Sequence, residues 1–449
     1  MSWLRRYLNH TTLFINGIFY YAGFAASVLF IGGYFIPVLF TLAQTVLTFT
    51  LVVFAFDLFL LYVKKEGIKG ARETTERLSN GDENTVRIIF RNDYAFKVQG
   101  FVIDELPYQF QERKWKHRLE MEAESSGNLT YQLTPFQRGE YRFGDINVYV
   151  KSPLGIISRR YRFRQEQVVK VYPSYVQVRK YQLLAATNRL QEAGIKRMRR
   201  LGHSLEFEQI KEYVRGDDYR TVNWAATARR GDLMVNNFTD ERSQQIYCIV
   251  NKGRTMKMPF EGMTLLDYAI NSALVLSNVA LMRQDRAGLI TFGDRLDTFI
   301  PADKKPGQQS IILEALYKQE TNFLEVDFEK LFAVVRNRIT HRSLLVLFTN
   351  FESVESLERE LPSLKRMAHY HLLMVIFFEN TELKAIQEAP AKTMEDIYIK
   401  TIAEKFAHEK RLIIKELRKA GIIAVLTTPR NLTVNAINKY LELKNRQSI

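Results

Sequence analysis

Between residues 11 and 63 the chain carries one charged side chain, Asp57, in a run that is otherwise uncharged and mostly apolar. Spanning a bilayer core of about 30 Å takes about 20 apolar residues in a helix, and this run is long enough for two such spans. Gly32-Gly33 and Pro37 mark the turn between them. The pattern predicts helices near 12–31 and 36–62, so residues 1–63 read as a two-helix transmembrane hairpin. A cleaved signal peptide has one short apolar region and a small-residue cleavage site, whereas here a second apolar run follows at once and ends in Lys64-Lys65. Arg5 and Arg6 precede the first span, Lys64, Lys65, Lys69 and Arg72 follow the second, and the loop between has no cation. Both termini are therefore expected in the cytoplasm. Asp57 falls near the cytoplasmic end of the second helix, where its carboxylate is expected to reach the interface or to pair with Lys64 or Lys65.

From about residue 74 the periodicity changes to short runs of alternating, aromatic and β-branched residues: Thr85–Phe90, Phe96–Ile103, Leu129–Leu133 and Ile146–Val150. Asn80-Gly81-Asp82, Asn92-Asp93, Ser125-Ser126-Gly127-Asn128 and Ser152-Pro153-Leu154-Gly155 punctuate them. An all-β sandwich over 74–175 is the reading, with a structural or adhesive role. Beyond residue 244 apolar strands alternate with amphipathic helices. Strands are expected near 245–251, 287–293, 296–300, 343–350, 371–378 and 421–427, and helices near 264–282, 307–319, 327–340, 354–367, 394–419 and 431–444. Runs such as Leu344–Phe348 read as parallel strands covered on both faces, which makes residues 244–449 an α/β doubly wound, Rossmann-like domain. Ligands bind beyond the carboxyl ends of strands in such sheets, so the loops after residues 250, 292 and 348 are where a site is sought.

Charge and composition narrow the chemistry. With 64 Lys and Arg against 49 Asp and Glu the 449-residue chain carries +15, which favours an anionic partner such as a phospholipid leaflet or a nucleic acid. The cations concentrate at 178–200, in Arg179, Lys180, Arg189, Lys196, Arg197, Arg199 and Arg200. A solvated face is the plainest reading of that run, ahead of contact with the anionic leaflet; the aromatic platforms that accompany single-strand binding are missing, and no nucleic acid partner is expected. One cysteine, Cys248, excludes an internal disulfide and a CxxC metal site. No HExxH and no histidine pair at i, i+4 occurs, and the glycine-rich phosphate loops are absent. His369 and His371 stand at the start of a predicted strand, on one face, and satisfied core-edge histidines are the preferred reading over metal ligands.

Residues 178–243 combine the basic connector with a dense signature: Gly202, Glu206, Phe207, Glu208, Glu212, Tyr213, Arg215-Gly216-Asp217-Asp218, Arg220, Asn223-Trp224 and Ala228-Arg229. This segment resembles the domain-of-unknown-function 58 family, with Lys211 where an arginine is usual. The resemblance runs from Gly202 to Arg229, and the flanking layout extends it over nearly the whole chain. Physically, Arg-Gly-Asp-Asp-Tyr-Arg suits a tight turn in which Asp217 or Asp218 accepts backbone N–H groups, Arg215 or Arg220 makes forked contacts to carboxylates, and Trp224 buries its ring beside them. A rigid polar staple is the first reading, a recognition face for a partner protein the second. A hydrolase using Glu206, Glu208, Asp217 and Asp218 is the enzymatic rival, but no nucleophile or metal set accompanies them, and no catalytic residue is assigned.

The resemblance implies a von Willebrand factor A-like C-terminal domain, a site at the bacterial inner membrane, and partnership with a MoxR-type AAA+ ATPase, and with other von Willebrand factor A-like proteins, in assembly, maturation or stress tolerance. In von Willebrand factor A domains the loop after the first strand carries Asp-x-Ser-x-Ser and holds a divalent cation. Here that loop reads Asn251-Lys252-Gly253-Arg254-Thr255, the fourth-strand loop reads Thr349-Asn350, and Thr264 stands where the family threonine could match. Mg²⁺, the one cofactor to consider, usually takes one or two carboxylates, which these positions lack; a metal-dependent adhesion role is accordingly disfavoured. Arg254 or Lys252 is expected instead to stand in for the metal and accept an acidic side chain of the partner.

Overall fold

The computed structural model describes residues 12–446 apart from 113–114, 187–204, 215–216, 218, 241–242, 322–323, 389 and 391–392. It divides into two compact units, Met1–Tyr172 and Pro173–Ile449.

In the first unit the apolar run forms helices α1 (Gly17–Gly33) and α2 (Pro37–Tyr62). α2 is long and apolar enough to cross a membrane, with a mean hydropathy of 2.1, and its side chains lie almost wholly on the outside; α1 is equally apolar but has 17 residues. The helices approach so closely at the turn that a Cβ on Gly33 would stand 2.9 Å from the Phe40 backbone. Helix does not begin at residue 12 as expected. Leu13–Ile15 is a strand, β1, paired antiparallel with Ile157–Arg159. A short apolar stretch is compatible with either state, and here the open edge of a sheet decides it.

The β layers follow as β2 (Ile68–Glu73), β3 (Arg77–Ser79), β4 (Asn84–Asn92), β5 (Val98–Asp104), β6 (His117–Met121), β7 (Ser126–Leu133), β8 (Gly139–Phe143), β9 (Ile146–Lys151), β10 (Ile157–Phe163) and β11 (Gln167–Tyr172). They make three sheets, ordered β1-β10-β9-β5-β6, β2-β4-β7 and β3-β11-β8. Alternation along β4 buries Val86, Ile88 and Phe90 on one face, and these join Val102, Val148 and Val169 in one core. Inside it lies a buried ion pair, Arg72 with Asp104, to which the Tyr131 hydroxyl also donates at 2.5 Å.

The base of the hairpin is built into this core. Leu61 is fully buried there, and Val53, Phe54, Leu58 and Tyr62 pack against it. Asp57 does not pair with Lys64 or Lys65. It is buried and accepts from Ser152 Oγ (2.5 Å), Ile156 N (3.2 Å) and Leu154 N (3.4 Å), all in the β9–β10 turn. Arg159, also buried, donates to the carbonyls of Leu61 (2.6 Å), Lys64 (2.8 Å) and Lys65 (2.8 Å), groups that the end of a helix leaves without partners. Asn16 holds the other helix to the same turn, donating to Gly155 O at 2.8 Å and accepting from Ser158 Oγ at 3.0 Å. A neutral turn offering converging N–H groups suits a lone carboxylate better than a solvated ammonium does.

The second unit opens with α3 (Tyr175–Ala186), then β12 (Leu205–Glu212), α4 (Trp224–Arg230) and β13 (Met234–Asp240), of which β12 and β13 form a separate antiparallel pair. The α/β domain comprises β14 (Gln245–Asn251), the short pair β15 (Pro259–Phe260) and β16 (Met263–Thr264), α5 (Leu265–Met282), β17 (Arg286–Phe292), β18 (Leu296–Asp303), α6 (Gln308–Tyr317) and α7 (Phe328–Arg338). It continues with β19 (Leu344–Phe348), α8 (Val354–Tyr370), β20 (Leu372–Phe378), α9 (Thr381–Glu388), α10 (Met394–Lys419), β21 (Ile423–Thr427) and α11 (Leu432–Asn445). Its sheet runs β18-β17-β14-β19-β20-β21 with a core on each face, as the doubly wound expectation requires. β18 departs from it by running antiparallel to β17, because the connection at Gly293–Arg295 is too short for a parallel crossover. His369 belongs to α8 rather than to the strand, which starts at Leu372, and His371 ends that helix, buried.

Candidate functional site

Strand order places the topological switch between β14 and β19: the chain leaves β14 for β17 on one side and returns to β19 on the other. Beyond the carboxyl ends of these two strands lies a cleft of about 680 Å³, where a doubly wound sheet places its ligands. Asn251, Arg254, Thr255, Thr349 and Asn350 line it, as do Glu325, Glu352, Glu355, Glu358, Glu360 and Arg359, with Phe328 and Phe351 beneath.

The floor is held by hydrogen bonds among its own side chains and backbone. Asn251 Oδ1 accepts from Gly253 N at 2.7 Å, and its Nδ2 donates to Thr349 Oγ1 at 2.8 Å. Where a first serine would be needed, Gly253 packs so tightly that a Cβ would lie 2.2 Å from Val326 Cγ2. Lys410, from α10, donates to Asn350 Oδ1 at 2.8 Å and to the Phe351 carbonyl. Burial pushes its ammonium down to about 8, against the pull of Glu352 and Glu409. An amide, a glycine and a fixed ammonium do not fit a divalent cation, which needs anionic oxygens. Among the described residues no group of three or more His, Cys, Asp or Glu is placed to hold one.

Two expectations for this pole fail. Lys252 does not face a partner: it is buried in an ion pair with Asp297. Thr264 is absent from the cleft lining because it caps α5, accepting from Asp267 N at 3.1 Å in a capping box. Arg254 does reach the cleft but stands 3.8 Å from Glu325 amid five glutamates. Burial raises the Glu360 carboxyl above its usual range, against the pull of Arg359 and with smaller contributions from Asp327, Glu325 and Glu329. The pole therefore carries more carboxylates than guanidinium groups, the opposite of the sign that the loop cations suggested.

The signature segment lies elsewhere and only partly within the described residues. Glu206, Glu208 and Glu212 fall on β12; Glu212 and Tyr213 are exposed. Asp217 accepts from Val214 N at 3.0 Å and Lys211 Nζ at 2.9 Å, so the expected Asp turn forms, and Lys211 holds that carboxyl below its usual range. Arg220 sits in the turn Tyr219–Thr221, while Arg215, Gly216 and Asp218 lie outside the described residues. Trp224 does not bury its ring: it is 72% exposed at the start of α4, whose first turn is capped by the Asn223 side chain. Arg229 is exposed on the same helix. Among the described residues, no signature side chain lines the cleft. The contributions of Lys410 and of Glu352–Glu360 went unseen in the sequence, where they read as ordinary helix residues.

The family described as "Protein of unknown function DUF58" matches residues 209–384. The Uncharacterized protein YeaD of Bacillus subtilis (strain 168) is 28% identical over 129 residues, or 28% of this chain and 31% of the relative, so the match spans about a third of that protein. Among solved structures, the SpRpn10 VWA domain is similar at 12% identity and a TM-score of 0.28, over 44% of this chain and 94% of that one. The CARDB domain of the PF1109 protein from Pyrococcus furiosus gives 14% and 0.17, over 23% and 86%. Proximal thread matrix protein 1 from the mussel byssus gives 10% and 0.25, over 44% and 45%. At such TM-scores these likenesses say nothing about function. The segment 209–384 is thus similar to the DUF58 family, and to YeaD over part of its length.

Proposed function

We propose that this protein is a membrane-anchored protein-interaction module of the bacterial inner membrane, with both termini in the cytoplasm, whose α/β domain docks a partner at the switch-point cleft without a metal ion. The observation that carries the reading is that cleft: it lies where doubly wound sheets bind ligands, and its floor is held by side chains that offer no catalytic set. The family resemblance supplies the partner class, a MoxR-type AAA+ ATPase, and the work, an adaptor role in assembly, maturation or stress tolerance.

The hairpin supports the anchoring. Asp57 stands 20 residues beyond Pro37 in α2, about 30 Å along a helix, which is about the thickness of the hydrocarbon core. The β9–β10 turn that binds Asp57 thus lies at the level of the near interface, and the β layers rest on the bilayer without a linker. Tyr20 and Tyr21 near that end and Tyr34 at the far turn are exposed, the positions an aromatic belt takes.

Cysteine mapping in intact cells tests the topology, since buried Cys248 gives no background. Tyr34→Cys should label with an impermeant maleimide and Gln99→Cys should not until the membrane is opened; labelling of Gln99→Cys in intact cells overturns the orientation. Docking is tested by retention of a MoxR-type ATPase from the same organism on the immobilised full chain in detergent. Retention should fall with Glu352→Lys and Glu358→Lys, and failure of the wild-type chain to retain it removes the ATPase as partner.

A further inference from the structure

The sign of the cleft names the chemistry of what it binds. In a chain with a net charge of +15, five carboxylates gather around this one opening against two guanidinium groups, Arg254 and Arg359. Burial, with the nearby Glu325, raises the Glu360 carboxyl although Arg359 already pulls it down, and Glu352, Glu355 and Glu358 stand exposed around the opening. A second feature points independently to a ligand. Lys410 can only donate, so its bond fixes Asn350 Oδ1 inward and turns the Nδ2 group the other way. Asn350 is 7% exposed and lines the cleft, and its Nδ2 has no hydrogen-bond partner among the described residues. That amide asks for an acceptor such as a peptide carbonyl, while the rim asks for ammonium or guanidinium groups. Phe328 and Phe351 give the stem of a long basic side chain an apolar surface to lie on.

We infer that the cleft receives an extended Lys- or Arg-bearing segment of a partner protein, its basic side chains on the glutamate rim and one backbone carbonyl on Asn350 Nδ2. This rests on the reading of the cleft as a docking site. It reverses the polarity expected of a metal-bearing pole, which takes an acidic side chain.

The test uses the full chain in nanodiscs and labelled nonapeptides of Gly and Ser carrying Lys, Glu or Gln at alternate positions, followed by fluorescence anisotropy. The Lys peptide should bind more tightly than the Gln peptide, weaken with salt, and lose about five-fold in the Glu352→Gln, Glu358→Gln double variant. Preference for the Glu peptide, weakened by Arg254→Gln with Arg359→Gln, overturns the inferred polarity and leaves the docking site standing. Binding unmoved by either pair of substitutions, or no binding by any peptide, overturns the inference and the docking site together.

Discussion

Among the cations withdrawn from water, Arg159 in the first unit and Lys410 in the second differ in what surrounds them. Arg159 closes the end of α2: three backbone carbonyls take its N–H groups and the rings of Tyr62 and Tyr161 flank it. Asp57, one turn earlier, is satisfied as fully by the β9–β10 turn. Nothing in that cluster is left to offer a ligand, so it serves as a lock between hairpin and sheet. Lys410 holds an amide oxygen and a carbonyl at the end of β19, yet the same amide keeps a free donor, and Glu352, Glu355 and Glu358 on the rim stay exposed. Burying a charge costs stability unless its partners are complete, and the degree of completeness separates a structural cluster from a receptive one.

The contrast is broken most severely at the lock. Arg159→Met should leave the last carbonyls of α2 buried without donors and cost about 3–5 kcal/mol, read by calorimetry as a collapse of the first unit's melting transition in nanodiscs. Asp57→Asn keeps the shape but gives up a charged acceptor for two N–H groups and a hydroxyl, and should cost about 1–3 kcal/mol in the same measurement. An unchanged melt in either variant would make these contacts incidental.

At the receptive pole the effects are smaller and depend on pH. Burial holds the Lys410 ammonium at about 8, below the value near 10.4 of an unfolded chain. Over that window the unfolded state binds more protons, so stability should rise as pH goes from about 8 to about 10.4. Lys410→Gln should flatten that rise, and a slope unchanged in the variant would assign it to another group. Glu352→Gln and Glu358→Gln, both exposed, should shift stability by no more than about 0.5 kcal/mol while weakening docking. Smallest of all, Cys248 should resist maleimide at neutral pH, because burial pushes its thiol up to about 12.

How much of this was readable beforehand follows from range. Continuous apolar runs such as Leu344–Phe348 specify their own burial, and the strands and helices of the α/β domain fall close to where the pattern put them. β1 was hidden because Leu13-Phe14-Ile15 adjoins a helix of the same composition, and only the partner strand β10 distinguishes the two states. Trp224 looked like a core residue by type, but the turn chemistry of Asn223 fixes the helix with its ring outside. The loop residues Asn251, Arg254, Thr255 and Asn350 do converge, as their places after parallel strands required. Lys410 joins them from 60 residues beyond Asn350, on a helix whose local pattern gives no sign of it. The loop cations alone suggested a positive pole, whereas folding brings the glutamates of the α8 region across the opening.

Hydrogen exchange of the full chain in nanodiscs, with and without a MoxR-type ATPase, tests most directly whether the switch-point cleft is where a partner docks. Protection confined to residues 251–255 and 349–360 is the expected result. Protection confined to the β layers of the first unit, with those loops unchanged, would contradict it.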